Sequence, residues 1–309
     1  MTQSFSQAHI KHHFDHAAVQ YEEAAVLQKQ VAQEVDDRLD LITIQPNTIL
    51  DVGSGTGLLT RHLEQRYPNA DCIGIDLSDK MVQIAQSRAL RKPTNWLQRI
   101  VGQKAARTHF INGNAYHLPI VDQSVDLIVT NLMLQWCDDL DKVFNEFRRV
   151  LKPEGLFMMT TFGPDTLKEL RQAWSNVDDA QHVNTFIDMH DIGDALIRNG
   201  FGQPVLDVEH FTLTYDKPLG VLKDLKAIGA TRVGASQPNP TGSGLTGKQR
   251  FTRMLEAYES QRIEGRIPAT FEVVHGHAWA SQEIIKGPHR NRQGVVEISL
   301  DDIPIQPSR

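Results

Sequence analysis

Short apolar runs alternate with amphipathic stretches along the first half of the chain. The runs fall at 48–52, 71–76, near 107–111, 125–130 and 155–162. They are short, bounded by turn residues, and read as strands buried on both faces. Between them, 57–67, 79–90, 139–151 and 165–176 carry apolar residues at helical spacing. Strands alternating with helices predict an α/β architecture with a parallel, doubly wound sheet. Upstream, residues 9–40 read as one long amphipathic helix. The pattern changes after residue 190. A helix over 190–199 stops at Asn199-Gly200, a C-cap signal, and strands are predicted at 204–215 and 270–280, making seven. Between these two lie a helix near 218–229, a Gly/Pro/Ser-rich stretch from Gly234 to Gly247, and a helix near 248–262. The expected layout is a helical cap over 1–45 and a core over 46–216. A helical lid follows over 217–268, then a last core strand over 269–283 and a loose polar tail over 284–309.

The densest local signal is Ile49-Leu50-Asp51-Val52-Gly53-Ser54-Gly55-Thr56-Gly57. A strand ends in an acid and then in glycines at alternate positions, with a helix behind. Glycines there let the chain turn sharply and let a ligand approach the backbone. The next strand, Cys72-Ile73-Gly74-Ile75-Asp76, also ends in an acid. It lies about 20 residues on, where an acid in a nucleotide-binding α/β fold takes ribose hydroxyls. The nicotinamide fingerprint G-x-G-x-x-G does not fit, because Gly53, Gly55 and Gly57 are spaced by two. Asp51, just before the loop, is unfavourable to a pyrophosphate but suits a ligand with an amino group. In such sheets ligands bind beyond the carboxyl ends of the strands. That singles out Gly53–Gly57, Asp76-Leu77, Asn114-Ala115, Asn131–Gln135 and Thr161–Gly163.

Composition narrows the partners. The chain has 309 residues, 40% hydrophobic and 23% charged, with a formal net charge of −6. That is ordinary for a globular protein and lacks the basic excess of a nucleic-acid binder. One stretch runs against the balance: residues 88–107 hold Arg88, Arg91, Lys92, Arg99, Lys104 and Arg107 and no acid. It reads either as a solvated face or as a dock for an acidic partner. Cys72 and Cys137 offer no disulfide framework and no zinc-site spacing, which points to a reducing compartment. The polar start and the lack of about 18 consecutive apolar residues lead to the expectation of a cytoplasmic protein without a membrane span. His9, His12, His13 and His16 tempt a metal reading through their i, i+4 pairs. They are read as a solvated helix face, since no carboxylate or cysteine completes a site.

Several phrases go beyond the generic fold. The spacing D-x-G-x-G-x-G resembles motif I of the class I S-adenosylmethionine (SAM) methyltransferases. Phe14-Asp15-His16-Ala17-Ala18 with Tyr21, Asn131-Leu132-Met133-Leu134-Gln135-Trp136-Cys137, Leu225-Lys226-Ala227-Ile228-Gly229-Ala230-Thr231 and Thr270-Phe271-Glu272-Val273-Val274-His275-Gly276-His277 are more discriminating. Together they resemble the malonyl-acyl-carrier-protein O-methyltransferases of biotin synthesis, the BioC family, from about residue 9 to about 282. One departure is Asn114, where many such enzymes carry aspartate near the adenine.

The resemblance implies a Rossmann-like class I methyltransferase fold and SAM as methyl donor, with no metal. The acceptor it implies is the free carboxyl of malonyl-phosphopantetheine on an acyl-carrier protein, with malonyl-CoA a possible substitute. It implies no nucleic-acid or membrane partner, and a monomer is expected. Gly53, Gly55 and Gly57 are expected under the methionine moiety, Asp51 near the amino group, and Asp76 on both ribose hydroxyls. Leu77 and Met81 should flank the adenine, Asn114 and Ala115 should meet its edge, and Asn131 should end the fourth strand near the methionine carboxylate. On the acceptor side stand Tyr21 and Gln135, with Lys226 and Arg232 on the lid. Tyr21 either offers its phenol or simply packs; Gln135 either donates or caps the strand end. Two alternatives stay open: methylation of a small free acid, and a SAM-binding hydroxylase or assembly factor related to this family.

Overall fold

The computed structural model describes residues 6–89, 107–230 and 244–281, with two short strands at 289–290 and 296–297. Its frame is a seven-stranded sheet: β1 (Thr48–Val52), β2 (Asp71–Asp76), β3 (Thr108–Asn112), β4 (Val125–Asn131), β5 (Leu151–Phe162), β6 (Phe201–Tyr215) and β7 (Ile267–Ala280). The spatial order is β3-β2-β1-β4-β5-β7-β6. The first five strands are parallel. β7 runs antiparallel to both β5 and β6, so the sheet is mixed rather than wholly parallel. The helices between strands are α4 (Leu58–Arg66), α5 (Asp79–Arg88), α6 (Leu140–Val150), α7 (Lys168–Ser175) and α8 (Met189–Arg198).

Burial explains why these runs become strands. Leu50, Val125, Leu127, Ile128, Val129, Leu156 and Phe157 have no exposed surface, which only a sheet covered on both faces allows. On one face, α6 presents Leu140, Val143, Phe144, Phe147 and Val150, a stripe at helical spacing. Phe144 and Phe147 meet Phe157 edge-on, at ring distances of 5.7 and 5.2 Å. Asp139 starts this helix by accepting the Lys142 amide at 3.1 Å. The opposite face is covered by Ala32, Val35 and Leu39 and by Leu59 and Leu63 of α4.

The N-terminal segment differs from the single helix expected over 9–40. It forms α1 (Gln7–Ala17), α2 (Tyr21–Ala24) and α3 (Val26–Arg38), followed by a turn of 3₁₀ helix at Leu39–Leu41. No glycine or proline marks the breaks. They come from tertiary contacts: Ala18 and Ala25 are 1% exposed, pinned on either side of α2.

Between β6 and β7 lie α9 (Pro218–Ala227) and α10 (Gly244–Glu259). α9 packs against α2, and α10 against α7. Arg250 of α10 donates from Nε to the Asp178 carboxylate at 2.9 Å, and the same carboxylate lies 2.8 Å from His182 Nε2. His182 in turn stacks on Trp174, with 3.7 Å between ring centres. Where a loose tail is expected, β8 (His289–Arg290) and β9 (Val296–Glu297) pair antiparallel in a sheet of their own. Arg232 and residues 90–106, most of the basic run, lie outside the described residues. Among the described residues no helix is long and apolar enough to cross a membrane.

Candidate active site

A cavity enclosing about 950 Å³, mouth included, opens at the carboxyl ends of β1, β2 and β4. That position suits a small-molecule ligand. Its floor is the glycine loop. Gly53, Gly55 and Gly57 have φ of 77°, 54° and 78°, all in the left-handed region. Their surroundings differ. A β-carbon on Gly53 would lie 2.3 Å from Met133 Cγ, and one on Gly57 would lie 2.7 Å from Phe110 Cζ. Gly53 and Gly57 are therefore packing glycines as well as turn glycines. At Gly55 the nearest atom would be Tyr21 Cε1 at 4.0 Å, so this position opens on the cavity.

Asp76 ties the loop to the second strand. Its carboxylate accepts the Gly55 amide and the Ser78 amide, each at 2.8 Å. Burial pushes this acid up to about 6, against the pull of those two amides. Asp51 lies beneath the loop and does not line the cavity. It is 2% exposed and accepts Thr60 Oγ1 at 2.6 Å. Burial pushes it up to about 7, opposed by the Thr60 bond and reinforced by the charge of Asp76. Asp51 and Gly57 are not among the residues that line the cavity.

Leu77, Met81, Asn114, Ala115 and Asn131 all line the cavity. Met81 sits in the first turn of α5, where its amide donates to the N-cap Ser78 Oγ at 3.1 Å. Asn114 accepts the Tyr116 amide at 3.0 Å and donates to Gln7 Oε1 at 2.9 Å. Asn131 donates to the Gln28 carbonyl at 3.0 Å and accepts Thr160 Oγ1 at 2.9 Å. Both side chains therefore also join the N-terminal segment to the sheet.

The cavity is also walled by Phe14, Tyr21, Leu132, Gln135, Trp136, Cys137, Phe162, Ile228 and Ala230. Phe14 meets Trp136 edge-on at 5.3 Å. Burial, then the charge of Asp76, raises the Tyr21 phenol above its usual range, so it is a neutral hydroxyl. Burial pushes the Cys137 thiol up to about 12, which leaves it unreactive. Gln135 donates from Nε2 to the Leu132 carbonyl at 2.5 Å and accepts Thr161 Oγ1 at 3.3 Å. It caps the turn after β4 and lines the cavity at once, with its second amide hydrogen left over. Lys226 departs from expectation: it is exposed on α9 and is not a lining residue.

Sequence reading passed over Gln7 and Ile10 as lining residues, and took Phe14 only as part of a phrase. The spacing of Ile10, Phe14 and Ala17 was the available signal, since it marks one face of α1. That helix is latched over the site by polar contacts. Asp15 accepts Ser78 Oγ at 2.6 Å, and Lys11 lies 2.5 Å from the Asp79 carboxylate. The histidines on α1 form no group with converging ligand atoms. Among the described residues the one such group is Asp165, His210 and Glu272, away from the cavity.

This strand order, with a glycine loop after β1 and an acid ending β2, is the class I SAM-dependent methyltransferase fold. The likeness extends to the YcgJ protein of Bacillus subtilis, with a TM-score of 0.53 at 18% identity over 81% of this chain and 100% of that one. Residues 50–159 match the family described as "Methyltransferase domain". More particularly, the chain belongs to the malonyl-[acyl-carrier protein] O-methyltransferase family. It is 48% identical over 276 residues to the member from Nitrosospira multiformis, covering 87% of this chain and 88% of that one. It is 46% identical over 285 residues to the member from Gallionella capsiferriformans, covering 92% and 93%. Membership implies S-adenosyl-L-methionine as the methyl donor.

Proposed function

We propose that the protein transfers a methyl group to the free carboxyl of a malonyl thioester carried on an acyl-carrier protein, the ester that starts pimeloyl and biotin synthesis. The observation that carries this is one cavity whose lining joins the open Gly55 and the paired acid Asp76 to neutral, largely apolar side chains. The relatives named for this reaction support it over nearly the whole chain.

The residues present fit the donor. Gly55 leaves the space that a β-carbon would take, so the methionine moiety can lie against the Gly53–Gly55 backbone. Asp76 would take the ribose hydroxyls. Leu77 and Met81 would hold the adenine, with Asn114, Ala115 and Asn131 as further contacts to the donor. When bound, the donor supplies an electrophilic methyl on a sulfonium.

The acceptor needs no general base. A carboxyl with a pKa near 4 is already ionised at neutral pH. The work of the chain is to hold one oxygen in line and to keep water out as opposite charges cancel. Tyr21 and the spare Gln135 hydrogen can donate to the carboxylate. Both are neutral, so they orient the oxygen without quenching its nucleophilicity as a bound cation would. Phe14, Leu132, Trp136, Phe162 and Ile228 exclude water around it. An oxygen–methyl bond forms as the sulfur–methyl bond breaks, and no proton moves.

The test offers labelled donor with malonyl-carrier protein, malonyl-CoA, free malonate and acetyl-carrier protein side by side. Label on the malonyl thioesters alone is expected. Label on free malonate at an equal rate would make the protein a free-acid methyltransferase. Donor binding with transfer to none of the four would sink the proposal.

A further inference from the structure

The helix α2 carries Tyr21 beside Gly55, yet it is four residues long and none of its residues is fully buried. Its second residue does have firm contacts. Glu22 Oε1 accepts Thr56 Oγ1 at 2.7 Å and Arg61 Nη2 at 3.0 Å, while Oε2 pairs with Arg88 Nη1 at 2.6 Å. Arg61 also donates to the Thr56 carbonyl at 2.9 Å. One carboxylate thus gathers the glycine loop, the first turn of α4 and the last residue of α5. All three are part of, or follow directly from, the donor site.

We propose that Glu22 is a positioning residue, which fixes α2 on the glycine loop so that the adjacent Tyr21 hydroxyl stands over the methyl-transfer end of the cavity. The inference rests on the reading of Tyr21 as an acceptor-side donor. Neighbouring residues leave this task to Glu22. Ala18 and Ala25 are buried and anchor the chain before and after α2, but being small they fix its position without fixing its rotation. Phe14 touches the Tyr21 ring only edge-on, at 6.4 Å between centres. A carboxylate with both oxygens engaged by three groups fixes rotation as well, because charge-assisted bonds are directional. The pair also gives Arg88 a local role, removing it from the basic run as a free cation.

The test is a double-mutant cycle on the full chain, with methyl transfer to malonyl-carrier protein as the readout. Y21F, E22A and the double variant are compared with wild type. If Glu22 acts through the Tyr21 hydroxyl, E22A lowers kcat roughly tenfold in wild type and changes kcat by less than about twofold in the Y21F background. Equal losses in both backgrounds, or no loss from E22A, overturn the proposal while leaving the reading of Tyr21 intact. A Y21F variant as fast as wild type sinks both. Should E22A fail to fold, E22Q and T56V each weaken one side of the contact and are expected to show the same non-additivity with Y21F. Hydrogen exchange of the 21–25 amides gives a readout that needs no acceptor. It should quicken in E22A and E22Q, and unchanged protection would contradict the proposal.

Discussion

The Asp76 carboxylate accepts the Gly55 amide at 2.8 Å, joining the acid that ends the second strand to the glycine that opens on the cavity. Strand β2 therefore sets the shape of the loop after β1. The acid proposed to take the ribose also holds the backbone proposed to lie against the methionine moiety.

The pH dependence of donor binding follows from this acid. Burial holds it up to about 6 in the free protein. The ribose contact needs the ionised form, so affinity should be full above about pH 7 and fall as the pH drops through 6. Asp76→Asn should weaken binding about tenfold or more at pH 8 and flatten the dependence. Calorimetric titration with S-adenosylhomocysteine at pH 8 and 5.5 measures both. A wild-type affinity equal at the two values would contradict the assignment.

Two glycines of the loop should fail in different ways. Gly53→Ala meets Met133 at 2.3 Å and also strains a φ of 77°, so a stability loss of about 2 kcal/mol or more is expected. Gly55→Ala has open space and only the backbone cost, about 1 kcal/mol. It should instead lose donor affinity, because its methyl enters the cavity. Thermal melts and the same titration separate these effects. A Gly55→Ala protein that binds normally would place the methionine moiety elsewhere.

Acid should destabilise the fold through His275. This β7 side chain is 2% exposed, and neither ring nitrogen has a hydrogen-bond partner among the described residues. Burial, then the charge of Arg38, brings it down to about 4. Between about 4 and its ordinary 6.5 the unfolded chain binds the proton and the folded one does not. Its contribution is therefore intact above 6.5 and is lost as the pH falls toward 4. His275→Leu should narrow the difference in melting temperature between pH 8 and pH 5. Parallel behaviour of the two proteins would contradict this.

The core strands were legible because each is a short apolar run closed by a turn residue, as in Ile49–Gly53 and Cys72–Asp76. The glycine loop was legible because its constraint is local: three positive φ angles need three glycines. The breaks around Tyr21 were not, because they depend on Ala18 and Ala25 being buried against parts of the fold far along the chain. Nor was the burial of Asp51, since a sequence does not say that a strand-end acid meets the Thr60 hydroxyl. Lys226 lies one residue from the end of α9, and its exposure follows from which face of that helix packs on α2, α10 and β6. That face was fixed by the partner, not by the helix.

Carboxyl O-methylation leaves a bond whose identity can be read directly. Malonyl-carrier protein is incubated with the protein and donor labelled in the methyl group, then isolated and treated with mild alkali. A methyl ester releases its label as volatile methanol, whereas a methyl on carbon or nitrogen stays behind. The label transferred to malonyl-carrier protein should be recovered as methanol, with none transferred to acetyl-carrier protein. Label that resists alkali, or that appears equally on the acetyl form, would contradict it.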